Sequence, residues 1–289
     1  MSYHNQKNIK DFSNLCFFLL SFLFMVSSCK KKGCTDPVSL AYEIEASKDN
    51  GSCTYPENNK KTLLFYATGT WCQYCGDLGR DFCEDITSDF PQSQIISLHK
   101  DDPLTSNIGS ITQSYLDSIN GLLGCPHFYL GVNSVVDPSS SPSSYSQLTS
   151  SVDDNLLLFS EVNVDLEYTI NGNRMNIKVQ SKLSTETPID NYYLSTYILE
   201  DDVVKSQNVS GNYDYNFIHN NVLRKQVSDD IDVFGSSLNF DANGDNLTSF
   251  NDVSLDSTGE WNYVNLYVVA VVWQKNGNDY RFVNLDRLK

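Results

Sequence analysis

Cys72 and Cys75 are the side chains whose types and spacing most directly suggest chemistry in this 289-residue chain. They lie in Trp71-Cys72-Gln73-Tyr74-Cys75, after the apolar run Leu63–Tyr66 and the small polar loop Thr68-Gly69-Thr70. A helical periodicity through Phe82 and Ile86 follows. A strand-to-helix junction of this kind puts the first sulfur at a helix N-terminus. Unpaired backbone N–H groups and the helix dipole favour a thiolate there. The second sulfur, one turn later, is placed to resolve a mixed disulfide. Disulfide exchange is one reading of the pair; a structural bridge and half of a zinc site are the others. The chain has no second Cys-X-X-Cys, which argues against a four-cysteine zinc site.

The elements that would position this pair read as a thioredoxin-like α/β domain over residues 60–158. Gln94–His99 is the next buried strand, ended by Lys100-Asp101-Asp102-Pro103. Ile111–Leu123 has helical periodicity, with Gly121 and Gly124 at its end. Gly124-Cys125-Pro126-His127-Phe128-Tyr129-Leu130 is the second decisive stretch. In this fold a cis proline precedes a strand beside the cysteine pair, and the residue before it offers its backbone to a substrate chain. Pro126 and Cys125 fit those positions, a trans proline that merely opens a strand being the alternative. Trp71 and Tyr74 would line the contact surface. Phe128–Val136 reads as a hairpin, Pro138–Ser144 as a connector, and Leu148, Val152 and Leu156–Phe159 as a closing helix. Cys125 would then lie near Cys72 as an inert thiol, as the partner of an alternative Cys72–Cys125 disulfide, or as part of a soft-metal site with Cys72, Cys75 and His127. Cys83, roughly 16 Å along a helix from Cys72, reads as a core thiol.

The flanking segments set the address. Lys7 and Lys10 precede the apolar run Leu15–Val26, too short for a membrane span, and Val26-Ser27-Ser28-Cys29 resembles a bacterial lipobox. Residues 1–28 are expected to be a lipoprotein signal peptide and Cys29 the lipidated residue, with an ordinary signal peptide or an anchor as alternatives. Cys34-Thr35-Asp36-Pro37, Tyr42, Ala46 and Asn50-Gly51-Ser52-Cys53 resemble a short module of secreted bacterial proteins. The resemblance implies that residues 29–59 are a spacer and linker stapled by a Cys34–Cys53 disulfide, which should stabilise its loop by about 3 kcal/mol. Asp36, Asp49 and Asn50 are candidate calcium ligands in that spacer. The net charge of −16, with lysines and arginines scattered, excludes a nucleic-acid partner.

From Val162 the periodicity changes to two. Val162–Ile170 and Met175–Val179 alternate around Asn171-Gly172-Asn173, and Tyr193–Leu199, Leu266–Trp273 and Tyr280–Leu285 add strands. Residues 159–289 are therefore expected to form an antiparallel all-β sandwich domain. Asp241–Asp252 reads as an acidic turn with a weak calcium-loop likeness. His219 reads as a hydrogen-bonded core histidine.

Thr68–Cys75, His99 with Asp102, Gly124 with Pro126, Tyr197–Glu200, His219–Arg224 and Val268–Val272 together resemble the Omp-twenty-eight-related family of outer-membrane lipoproteins. Gln73, Cys83 and Cys125 depart from its pattern. The resemblance implies outer-membrane attachment, on a face left open, and a thioredoxin-like fold; it implies no reaction. Two functions follow as expectations. One is a thiol-disulfide oxidoreductase acting on exported proteins, with Cys72 attacking, Cys75 resolving, and no cofactor or resident metal. The other is a non-enzymatic lipoprotein that binds an envelope protein or glycan through its sandwich, Cys72–Cys75 being structural. Asp117-Ser118-Ile119 and Asp256-Ser257-Thr258 resemble a bacterial O-glycosylation pattern and fit either function.

Overall fold

Short runs centred on apolar residues make the central strands. In the computed structural model, which describes residues 30–121, 123–184, 187, 191–227, 232–256 and 258–289, β1 (Thr62–Thr68) and β2 (Ser93–His99) are buried along their whole length. Continuous burial of this kind is what strands covered on both faces require. They pair in parallel, Leu64 opposite Ile95 and Thr68 opposite His99, and helix α1 (Arg80–Asp89) lies in the crossover. Helix α2 spans Asn107–Asn120 and starts four residues before the expected Ile111. Ser106 caps it, its Oγ accepting from the Gly109 N–H at 3.1 Å. Strand β3 (His127–Leu130) returns antiparallel to β1 and pairs with β4 (Asn133–Val136). Helix α3 (Ser144–Leu156) closes this half. Leu157, Leu158 and Phe159, expected inside that helix, lie beyond it and are exposed.

The second half starts with the hairpin of β5 (Val162–Asn171) and β6 (Arg174–Leu183), in register throughout. Gly172 takes the left-handed conformation that the two-residue turn requires. Strand β7 (Tyr192–Glu200) follows. After it come a small hairpin, β8 (Gln207–Val209) and β9 (Asn212–Asp214), and then β10 (Val222–Gln226). The last strands are β11 (Asp245–Ser254), β12 (Leu266–Asn276) and β13 (Asp279–Leu288). The expected acidic turn is present before β11: Asp241 accepts from the N–H groups of Asn243 at 2.8 Å and Asp245 at 2.9 Å. Asp245 itself pairs with Lys182 through Oδ2 at 2.6 Å.

A sandwich is present, but it is not a separate antiparallel body. Strands β11, β6 and β5 form one three-stranded leaf. The other leaf belongs to a sheet that runs β13-β12-β7-β10-β2-β1-β3-β4, through both halves of the chain. The seam is β10, antiparallel to β7 and parallel to β2, where Val222 is opposite Ser97. The burial of β12 gives the physical reason. Tyr267, Val269, Val271 and Trp273 face a core shared with Phe65 and Leu98, while Val268, Ala270 and Val272 face the three-stranded leaf. A strand covered on both sides reads as a continuous apolar run, and Leu266–Trp273 is one. The boundary expected at 158/159 falls after α3; β1–β4 before it and β7, β10, β12 and β13 after it share this one sheet, while β5, β6 and β11 form the other leaf.

Residues 54–289, with 38–40, form one compact unit, and 41–53 belong to another with the stretch ending at Pro37. In the smaller unit Cys34 and Cys53 form a disulfide with Cα atoms 4.8 Å apart. Asp49 accepts from the Gly51 N–H at 3.0 Å and Asn50 from the Ser52 N–H at 2.9 Å, so both side chains shape the turn before Cys53. The expected signal peptide and Cys29 lie outside the described residues. Among the described residues no helix is long and apolar enough to cross a membrane.

Candidate functional site

The loop from Thr68 to Gly79 leaves the C-terminal end of β1, and its conformation is set by two close approaches. Cys72 and Cys75 are joined as a disulfide and both are buried. The chain then makes a π turn over Cys75–Gly79 before α1 begins at Arg80, instead of the regular helical start expected. The Gly79 N–H bonds the Tyr74 carbonyl at 2.9 Å, five residues back. A Cβ on Gly79 would collide with the Tyr66 hydroxyl, and one on Gly76 with the Asn208 carbonyl. Glycine at these positions lets β1 on one side and the β8–β9 hairpin on the other close on the turn. The Tyr66 hydroxyl in turn donates to the Cys75 carbonyl at 3.2 Å.

The other wall of the site comes from the loop before β3. The Cys125–Pro126 peptide is cis. The Cys125 carbonyl oxygen lies 3.6 Å from Cys72 Sγ. The sulfurs of Cys72, Cys75 and Cys125 are all within 4.8 Å of one another. The Cys75 N–H points at Cys72 Sγ from 3.2 Å, the orientation that stabilises a thiolate. Burial pushes the free Cys125 thiol up to about 11, the nearby Lys100 ammonium offsetting part of that rise. His127 does not join the three sulfurs; its Nε2 meets Ser134 Oγ at 2.9 Å. Trp71 and Tyr74 flank the pair as half-exposed rings, and the Trp71 indole donates to the Lys100 carbonyl at 2.9 Å. Between Trp71, Lys100, Gln113 and Cys125 lies a groove of about 170 Å³. Cys83 is a free thiol on α1 and is driven up by burial, so it is inert at neutral pH.

The loop is fixed from below by a buried pair. His99 Nδ1 lies 2.7 Å from Asp102 Oδ2, and that carboxylate also accepts from the N–H of Thr70 at 2.8 Å and of Leu104 at 2.7 Å. Burial alone would raise the Asp102 carboxyl; the His99 bond and the two backbone donors outweigh it and hold it below its ordinary value. His219 packs edge-on against His99 with ring centres 5.3 Å apart. Burial, then the neighbouring His99, push its imidazole down to about 4. Among the described residues its Nε2 has no hydrogen-bond partner. Behind the pair, a cavity of about 480 Å³ is lined by Cys75, Cys83, His99, Phe217, His219 and Arg287.

The residues that sequence reasoning missed are in the β8–β9 hairpin. Gln207 Nε2 donates to the carbonyl of Cys72 at 2.9 Å, the Asn208 N–H to that of Thr70 at 2.8 Å, and Asn208 Nδ2 to that of Trp71 at 3.3 Å. Ser210 Oγ donates to Asp77 at 2.5 Å. Ser210-Gly211, both at positive φ, was the signal available in the sequence. The second half of the chain therefore docks on one side of the cysteine loop and leaves the Trp71–Cys125 side open.

The sequence pattern of the family described as outer membrane protein Omp28 matches residues 114–287. The chain belongs to the Omp28 family. The family is one of outer membrane proteins, and the outer membrane is accordingly the location of this chain. Its fold is similar to that of HBP35 of Porphyromonas gingivalis, with a TM-score of 0.64 at 18% identity over 81% of this chain and 76% of that one. A protein of Agrobacterium tumefaciens aligns with a TM-score of 0.49 at 11% identity, covering 80% of this chain and 95% of its own. A domain of the outer membrane lipoprotein Omp28 from P. gingivalis aligns with a TM-score of 0.30 at 16% identity, covering 45% and 88%. No curated protein matches the sequence. The Omp28 match contains Cys125, Pro126 and the hairpin but starts after Cys72 and Cys75.

Proposed function

We propose that this outer-membrane lipoprotein carries out thiol-disulfide exchange with exported proteins through Cys72 and Cys75, on a thioredoxin-like scaffold. One observation carries the reading: the Cys72 sulfur lies 3.6 Å from the carbonyl of Cys125, on the loop that enters β3. The order of β1, β2, β3 and β4, with α1 following the cysteine pair, supports the scaffold. In the oxidised state described here, a substrate thiolate attacks Cys72 Sγ and the Cys72–Cys75 bond breaks. Cys75 leaves as a thiolate and takes a proton from solvent. A second substrate thiolate then attacks the substrate sulfur of the mixed disulfide, and Cys72 leaves toward the Cys75 N–H. The substrate loses two electrons, the pair gains them, and the reverse sequence reduces a substrate disulfide. The groove between Trp71 and Cys125 would hold the substrate chain, with the Cys125 backbone as its hydrogen-bonding edge.

A second reading has its own observation. Both sulfurs are buried and Gln207 and Asn208 bond the loop that carries them, as suits a structural bridge in a lipoprotein that binds an envelope protein or glycan through its sandwich. Equilibration with glutathione buffers, read by mass spectrometry of the alkylated cysteines, separates the two. Exchange predicts a potential between roughly −120 and −270 mV. A couple below about −300 mV would give the binding reading the lead.

A further inference from the structure

We propose that the reduced site is also a copper(I) site, with Cys72, Cys75 and Cys125 as its three ligands. Nothing in disulfide exchange needs a third thiol, yet Cys125 brings its sulfur to within 4.8 Å of both others. It is the one group of three such donors among the described residues that lies close enough to share a metal ion. In a trigonal thiolate site with metal–sulfur bonds of about 2.3 Å the sulfurs are about 4 Å apart. Opening the disulfide frees Cys72 and Cys75 to separate toward that spacing, and the Cys125 sulfur already lies within 4.8 Å of both.

The donor set selects the metal. Three soft sulfurs favour copper(I) or zinc, and zinc is almost always held by four ligands. Among the described residues no fourth His, Cys, Asp or Glu donor joins the three sulfurs. His127, the nearest imidazole in sequence, is outside the cluster and turned to Ser134. Three-coordination suits copper(I). The surroundings suit the charge as well: three thiolates and one copper(I) leave two negative charges, faced by the Cys75 N–H and by Lys100. Binding displaces three protons, one from each thiol, with no change in oxidation state. The preceding step, opening the disulfide, takes two electrons from a dithiol, which becomes a cyclic disulfide.

The test uses the full chain in detergent, reduced with a dithiol under anaerobic conditions and then freed of it. Alkylation and mass spectrometry first establish whether Cys72 and Cys75 are open. Titration with copper(I) bicinchoninate should then transfer one copper per chain, and X-ray absorption should report three sulfur neighbours. Cys125→Ser should weaken uptake by at least the roughly 100-fold that loss of even an outer-shell partner can cost. The near-ultraviolet circular dichroism of that variant should match the parent. Uptake unchanged by Cys125→Ser overturns the proposal, as does displacement of the copper by equimolar zinc. If the thiols are free and no copper is taken up, the metal site alone is refuted. A pair that stays closed in dithiol refutes disulfide exchange together with it.

Discussion

His219 and Asp102 show how individual side chains around the cysteine loop tie stability to pH. An unfolded histidine titrates near 6.5, whereas His219 in the fold titrates near 4 because it is buried beside His99. Between these values the unfolded chain binds the extra proton, so stability is lost as pH falls from 6.5 to 4 and this contribution is constant below that. The full loss is about 3 kcal/mol by linkage. His219→Phe should flatten the slope of unfolding free energy between pH 4 and 6.5, measured by urea titration at several pH values; an unchanged slope would reject the assignment. Asp102 acts in the opposite sense. Its carboxyl is held low in the fold, so its contribution is present above the ordinary carboxylate range and lost as pH falls below it. Asp102→Ala leaves His99 and the Thr70 and Leu104 N–H groups without their acceptor. It should cost about 3 kcal/mol in chemical denaturation and loosen the loop, seen as faster exchange of the Thr70 amide.

At the scale of elements, the loop is held between β1 and the eight-residue hairpin Gln207–Asp214, which comes from far along the chain. Gly76→Ala puts a methyl group against the Asn208 carbonyl. The expected result is a loss of about 1–3 kcal/mol as β8–β9 lifts, with faster amide exchange at Asn208 and easier alkylation of reduced Cys75. Gly76→Ala behaving like the parent in both measurements would mean the hairpin does not clamp the loop. This element also marks the limit of sequence reading. β1, β2 and the cysteine loop were legible because long apolar runs and a Cys-X-X-Cys are local signals. The β5–β6 hairpin was legible from alternation and from a turn centred on Gly172, left-handed in the fold, and β12 from its continuous apolar run. Strands β8 and β9 have three residues each, QNV and NYD, too few to show a period. Strand β11 is mostly half-exposed at the edge of its leaf, so its apolar pattern is faint. The π turn was hidden because it answers to Tyr66 and Asn208, contacts that spacing along the chain does not report.

At the scale of the whole molecule, the seam at β10 decides whether the two halves unfold together. Two domains were expected because the periodicity changes at Val162, but the connection between the halves is a non-local pairing that leaves no trace in local pattern. The runs Tyr197–Glu200 and His219–Arg224 meet there. Arg224 Nε donates to Glu200 Oε2 at 2.7 Å, and both side chains are nearly inaccessible. The second Glu200 oxygen accepts from the Asn262 N–H at 2.7 Å. Asn221, at positive φ, offers its carbonyl to the Ser97 N–H at 2.9 Å and its side-chain oxygen to the Tyr267 hydroxyl at 2.7 Å. From the other edge, Arg287 on β13 donates to the carbonyls of Ser93 at 2.8 Å and Pro91 at 2.8 Å. With a core shared by Phe65, Leu98, Tyr197 and Trp273, neither half can keep its apolar faces covered once the other has opened. Calorimetry should therefore give one transition for residues 54–289, with the calorimetric and van't Hoff enthalpies equal. Arg224→Ala leaves Glu200 buried and unpaired and should lower that single transition by about 3–5 kcal/mol without splitting it. Two resolved transitions in the parent, or a variant that melts only its β-rich half, would show that the continuous sheet does not couple the halves, and the cysteine loop would then depend on the hairpin alone for its second wall.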